Sequence, residues 1–207
     1  MELIKITTQF ELDTINVDTE DVIQIEFGTP ESPAIVRNNF KHSIETIGNS
    51  FVKVVGNNIS VVARDNSTVE VYDNCSVEAF SDSTVVAHGR STVMARNNST
   101  VKVYDNCSVE AYDYSYVVSY GRNTVRAHFK SNVVAYDNST VMAFGDSSVR
   151  ASGNCFVMAF DDGTVGAHNN CIVEAYDDST ITAHNNSTVK VYGNTVKVYG
   201  DCTVSYL

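Results

Sequence analysis

Histidine, cysteine, tyrosine and arginine are the side chains here with chemistry to offer, and each keeps a fixed place in a short repeat. His88, His128, His168 and His184 all stand where other repeats carry tyrosine or phenylalanine. A metal centre needs two or three imidazoles converging with a carboxylate, and only His168 and His184 fall in successive coils of one face. The column therefore reads as aromatic, and no metal or other cofactor is expected. Cys75, Cys107, Cys155, Cys171 and Cys202 share their position with serine, which reads as small buried thiols. Cys155 and Cys171 are expected in adjacent coils, with no disulfide in a reducing compartment. Asp/Asn-rich corners raise the question of calcium, but the period is eight and the double glycine of calcium-binding rolls is missing. No Ser/His/Asp grouping, phosphate loop or carboxylate pair rises above the repeat, so catalysis is not expected.

The repeat departs from its own pattern in one region. Between Asp113 and Tyr136, Tyr114, Phe129 and Lys130 occupy turn positions, Tyr116 and Asn132 replace threonine, and Ser119 replaces alanine. Local violations of a consistent pattern tend to mark sites. Charge shifts there too: residues 89–130 hold six Lys/Arg and three acids, while the chain as a whole is −11. Arg90, Arg96, Arg122, Arg126 and Lys130, with Tyr104, Tyr114, Tyr116, Tyr120 and Tyr136, are therefore the candidate binding residues of a basic, tyrosine-rich belt. Tyr72, His88, Tyr104, Tyr120 and Tyr136, sixteen apart, should form an outward ladder, with Tyr114 above Lys130. Rings beside guanidinium groups suit stacked bases, nucleotide phosphates or an acidic protein surface.

Positioning these groups falls to a strand and a corner, written seventeen times. From Val61 to Val189 one position of each octad carries sixteen valines and Ile181, without insertion or deletion. In the frame of Asp65–Tyr72 (Asp-Asn-Ser-Thr-Val-Glu-Val-Tyr), the third, fifth and seventh positions are small or aliphatic and the sixth varies freely between Glu70, Lys102, Arg126 and Met142. Period-two alternation means a strand with one face inward. Asp, Asn or Gly at the first two positions means a tight corner. Units this short bury a core only by stacking. All cysteine separations are multiples of sixteen once one residue missing near Gly193 is allowed for, and Met94, Met142 and Met158 keep the same parity. The fold class is thus all-β: a parallel β-solenoid with two strands and about 16 residues per coil, roughly ten coils and about 45–50 Å long.

Residues 48–207 form this solenoid, and residues 1–47, which hold both prolines and the strand-like runs Leu3–Thr7 and Val22–Phe27, are read as a β-rich N-terminal cap. The last coil, with Val204, Tyr206 and Leu207, should present open strand edges and apolar side chains, through which two chains are expected to form a homodimer. The start lacks a basic and apolar leader and no stretch could span a membrane, so the protein is expected in the cytoplasm. Ice binding fits poorly: the outward threonine rank is kept in only nine of seventeen octads.

Runs such as Ala135–Val141 (Ala-Tyr-Asp-Asn-Ser-Thr-Val) resemble the octapeptide-repeat proteins of bacteria and their phages. The resemblance spans about residues 48–207 and implies architecture rather than activity. As an acidic rod the chain is also similar in general design to pentapeptide-repeat solenoids, some of which mimic DNA; its period and basic belt depart from them. The expected function is a non-catalytic interaction protein with a protein partner: an inhibitor or decoy, of phage or mobile-element type, against a nucleic-acid-handling or defence enzyme. The alternative is direct binding of RNA or a nucleotide on the belt.

Overall fold

The computed structural model describes residues 3–15, 21–37, 43–192 and 197–207, and in it the chain winds into two parallel sheets of 13 and 11 strands. The first sheet holds β1 (Leu3–Ile6), β2 (Val22–Ile25), β4 (Ile44–Thr46), β6 (Ser60–Ala63), β8 (Ser76–Ala79), β10 (Thr92–Ala95), β12 (Ser108–Ala111), β14 (Thr124–Ala127), β16 (Thr140–Ala143), β18 (Phe156–Ala159), β20 (Ile172–Tyr176), β22 (Thr188–Tyr192) and β24 (Thr203–Tyr206). The second holds β3 (Ala34–Arg37), β5 (Phe51–Val55), β7 (Thr68–Tyr72), β9 (Thr84–Ala87), β11 (Thr100–Asp105), β13 (Tyr116–Gly121), β15 (Asn132–Tyr136), β17 (Ser148–Ser152), β19 (Thr164–His168), β21 (Thr180–Ala183) and β23 (Lys197–Tyr199). From β2 onward successive strands alternate between the sheets, and through the regular repeat each residue pairs with the one sixteen further on, as Val77, Val93 and Val109 do.

Alternation puts the valine column inside, where every member from Val61 to Val189, Ile181 included, is at most 2% exposed. Each such side chain stabilises the coil by roughly 1.5–3 kcal/mol relative to exposure. The seventh-position Ala or Val lies beside it, so both sheets share one narrow core. The serine and cysteine column does more than save space. Ser91, Ser99 and Ser131 donate to the carbonyls of His88, Arg96 and His128 at 2.9, 2.6 and 2.7 Å, and the Cys75 and Cys107 thiols reach the Tyr72 and Tyr104 carbonyls at 3.2 Å. Each donor ties its corner to the carbonyl three residues earlier, adding to the backbone N–H bonds that Ser99 and Ser131 make to the same acceptors. The corners run left-handed, with Asn66, Asn98 and Asn138 at φ of 63°, 63° and 70°, a conformation asparagine tolerates.

The winding starts earlier than the repeat. Leu3 pairs with Val22 and Ile23 with Ile44, so these coils take 19 and 21 residues and leave no periodic trace in the sequence. That is why the molecule has about twelve turns rather than roughly ten. The helix α1 (Gln9–Thr14), opened by a Thr8/Glu11 capping box, buries Leu12 against the first coil. Its Gln9 amide donates to the Ile35 carbonyl at 3.0 Å, and its carbonyl accepts from the Ile35 N–H at 2.8 Å. That closes part of the free edge of β3.

The other departure lies in the shortened repeat from 193 to 199, whose first four residues fall outside the described ones. There Lys197, Val198 and Tyr199 pair with Thr180, Ile181 and Thr182. They occupy the fourth to sixth columns, two earlier than the sequence frame gives. Val198 therefore continues the valine column.

Candidate binding edges

Two sheets joined by tight corners give a flattened coil with two faces and two edges, and this divides the sequence-derived belt. An eighth-position residue of the second sheet stands beside the corner that leads into the first sheet. Here lie Tyr104, Tyr120 and Tyr136 with Arg90 and Arg122. An eighth-position residue of the first sheet stands beside the opposite corner, where Arg96, Tyr114 and Lys130 lie, with Tyr116 at the adjoining start of β13. Tyr114 and Arg122 thus sit at opposite ends of one strand, about 20 Å apart. Arg126 belongs to neither edge: it is on the outer face of β14, 3.8 Å from Glu110.

The first edge carries the expected ladder. Tyr72, His88, Tyr104, Tyr120 and Tyr136 stack with centroids 4.7, 4.8, 5.2 and 5.2 Å apart and planes within 10°. Tyr104, Asp105, Asn106, Tyr120, Gly121 and Arg122 line an open hollow of about 480 Å³. Gly121 has φ +91°, and a Cβ there would meet the Asp105 carbonyl at 3.3 Å, so glycine lets Arg122 leave the corner without strain. Among the described residues neither Arg90 nor Arg122 makes an ion pair. Beneath this edge the replaced alanine finds its reason. Ser119 Oγ lies 2.9 Å from Ser139 Oγ and accepts from Asn123 Nδ2 at 3.0 Å; the same amide donates to the Tyr120 carbonyl at 2.7 Å, and Asn123 Oδ1 accepts from the Cys107 N–H at 2.8 Å. A satisfied buried polar network of this kind fixes the corner from which Arg122 projects. Asn123 was not singled out in the sequence, although an asparagine in a serine column is the signal that would have found it.

The second edge is strained. Tyr114, Phe129 and Lys130 take φ of 64°, 47° and 64°, where bulky residues cost about 1 kcal/mol or more each relative to asparagine or glycine. Tyr114 is 60% exposed, Phe129 66% and Tyr116 41%. Lys130 Nζ lies 5.9 Å from the Tyr114 ring and 3.9 Å from Asp146. Arg96 stacks on Tyr112 at 5.2 Å. Tyr112 opens a second ladder that the sequence reading passed over: Tyr112, His128, Phe144, Phe160, Tyr176 and Tyr192 stack at 4.8–4.9 Å. Tyrosine hydroxyls on this second ladder donate to the glutamate two residues earlier, Tyr112 to Glu110 at 3.0 Å and Tyr176 to Glu174 at 3.3 Å. Burial and these bonds raise the pKa of both phenols.

The remaining candidates are placed as follows. From β9 to β21, no fourth, sixth or eighth position of the second sheet carries a carboxylate, so this face sets Lys102 and Arg150 among Thr, Tyr and His on an otherwise acidic rod. The threonine rank is broken there by Tyr116, Asn132 and Ser148. His168 and His184 stack at 5.4 Å, and His184 Nδ1 lies 2.6 Å from Asp201; among the described residues no group of three or more His, Cys, Asp or Glu converges. All five cysteines are free, and burial pushes the Cys107 thiol up. In the stacked pair, a thiol–thiol hydrogen bond moves Cys155 up and Cys171 down. At the last coil, Val204 is half-buried while Tyr206 and Leu207 are exposed, and β24 pairs with β22 on one side. No described helix is long and apolar enough to cross a membrane.

Fold and edges together define a two-sheet parallel β-solenoid that displays aromatic and cationic side chains along its corners. No family model matches the chain, and no curated protein or solved structure was found to match it.

Proposed function

We propose that the chain is a non-catalytic interaction protein, of the inhibitor or decoy kind, that anchors a protein partner on Tyr114, Tyr116, Phe129 and Lys130. The observation that carries this reading is exposed aromatic rings held in left-handed backbone at corners where the repeat elsewhere uses aspartate, asparagine, serine or glycine. Stability is given up at those corners, as at surfaces kept for binding, and clustered exposed aromatics beside a cation have the composition of an interface hot spot. A rod of net charge −11 is steered toward cationic clefts such as those that handle nucleic acid. Stiff stacked coils lose little entropy on docking.

The test is capture of a partner from cell lysate on the immobilised chain, followed by calorimetric titration of that partner. Tyr114→Asn with Phe129→Asn should weaken binding by about 100-fold or more, while Arg122→Glu on the other edge leaves it nearly unchanged. Equal affinity for the parent and the double variant would refute the assignment.

A second reading has its own observation, the hollow where Arg122 meets Tyr104 and Tyr120. A nucleobase could lie against the edges of these two rings, whose faces the ladder covers, with its phosphate on the unpaired guanidinium. Titration with a single-stranded oligoribonucleotide at low and high salt selects this reading if binding is salt-dependent and lost in Arg122→Glu.

A further inference from the structure

The outer face of the first sheet is apolar at its centre. Met142 pairs with Met158 and Phe156 with Ile172 on neighbouring strands, and Phe144 stacks on Phe160 at 4.9 Å. Ile172 is 43% exposed. Charges flank this patch in a definite order. Along the sixth-position column from β12 to β22 run Glu110, Arg126, Met142, Met158, Glu174 and Lys190.

That order is its own complement when reversed. If a second copy lies face to face with its coils running the opposite way, about a dyad parallel to the strands and between β16 and β18, columns oppose like columns in reverse order. Met142 then faces the partner's Met158, Arg126 faces the partner's Glu174, and Glu110 faces the partner's Lys190. Within each copy Arg126 is already 3.8 Å from Glu110, and Lys190 is 3.2 Å from Glu174. Each intrachain pair would meet the oppositely ordered pair of the other copy, giving alternating quartets on both sides of the methionines. In the remaining columns Phe156 faces the partner's Thr140, and Phe144 faces the partner's Phe160. A self-complementary patch of this form is what an isologous twofold interface requires.

We propose that this face binds a second copy of the chain. Six strands at ~4.8 Å spacing and about five residues of strand length give a buried area on the order of 1,000 Å² for both copies, near the lower bound for a specific interface. The dimer should therefore exchange with monomer at micromolar concentrations.

Sedimentation velocity of the full chain over a concentration series tests this. Lys190→Glu should weaken association by about tenfold or more by setting like charges against each other. Glu110→Lys combined with Lys190→Glu should restore it, although that double swap breaks both intrachain pairs; only a contact between copies explains such a rescue. Arg126→Glu with Glu174→Arg provides an independent swap, and circular dichroism verifies the fold of each variant. The proposal is overturned by a parent that stays monomeric, by association indifferent to Lys190→Glu, by failure of both swaps to restore it, or by loss of association in Leu207→Asp, which would place the contact at the open edges of β23 and β24.

Discussion

His128 sits as a neutral ring between Tyr112 and Phe144, with centroids 4.8 Å away on both sides. Burial holds its pKa below the usual imidazole range, opposed by Glu110 and aided by Arg126. The unfolded chain therefore takes up this proton first, near the ordinary value of about 6.5. The stabilisation is complete above that pH and is lost as pH falls through and below it. The melting temperature of the parent should drop between about pH 7.5 and about 5.5, and His128→Phe, the residue its ladder carries at 144 and 160, should flatten the drop. Identical pH profiles for the two proteins would contradict this. At this scale the sequence was legible in part. The serine and cysteine column was recognised as small and inward, but its hydrogen-bonding duty was not, because its acceptors are backbone carbonyls and no side-chain pattern records them. Ser119 was visible as an exception; its partners Asn123 and Ser139 required knowing which columns adjoin inside the coil.

Strands and corners were the most readable elements. Valine every eighth residue sets the inward face, and the free variation from Glu70 to Lys102 at the sixth position sets the outward one. The sixteen-residue period already separates the corner of Arg90 and Arg122 from that of Tyr114 and Lys130, yet the belt they form reads in sequence as one surface. Tyr114 and Tyr120 are close in sequence and belong to opposite edges of the rod, so one inferred belt resolves into two. The strained corner offers a direct measurement at this scale. Replacing Phe129 and Lys130 by Asn, the residue at corners such as 97–98 and 185–186, should raise stability by roughly 0.5–1 kcal/mol each, since asparagine tolerates positive φ. Chemical denaturation would show it as a higher midpoint at unchanged slope. An unchanged or lower midpoint would mean that these side chains stabilise the fold and were not retained against a cost.

As a whole molecule, the chain is a long coil in which every surface property is a column property. A side chain at one octad position repeats its neighbours' environment one strand spacing away, and so ladders, acid-free faces and a charge order that reads the same when reversed all arise from sixteen-residue bookkeeping. The early coils escaped the sequence reading because their lengths vary, as in the 19 and 21 residues that link β1, β2 and β4; stacking there is set by Ile23, Ile25 and Ile44 in the core rather than by a constant period. Both proposed surfaces depend on side chains sixteen apart being immediate neighbours. Disulfide trapping tests this directly in a chain whose five cysteines are changed to serine, the residue their column already accepts. Thr84 and Thr100 pair across β9 and β11; with both changed to cysteine they should cross-link within one molecule under mild oxidation, since adjacent strands lie inside disulfide reach at about 4.8 Å. Thr92→Cys with Thr100→Cys, eight apart and on opposite sheets, should not. Cross-linking of the second pair in preference to the first would contradict the two-sheet winding and remove both surfaces with it.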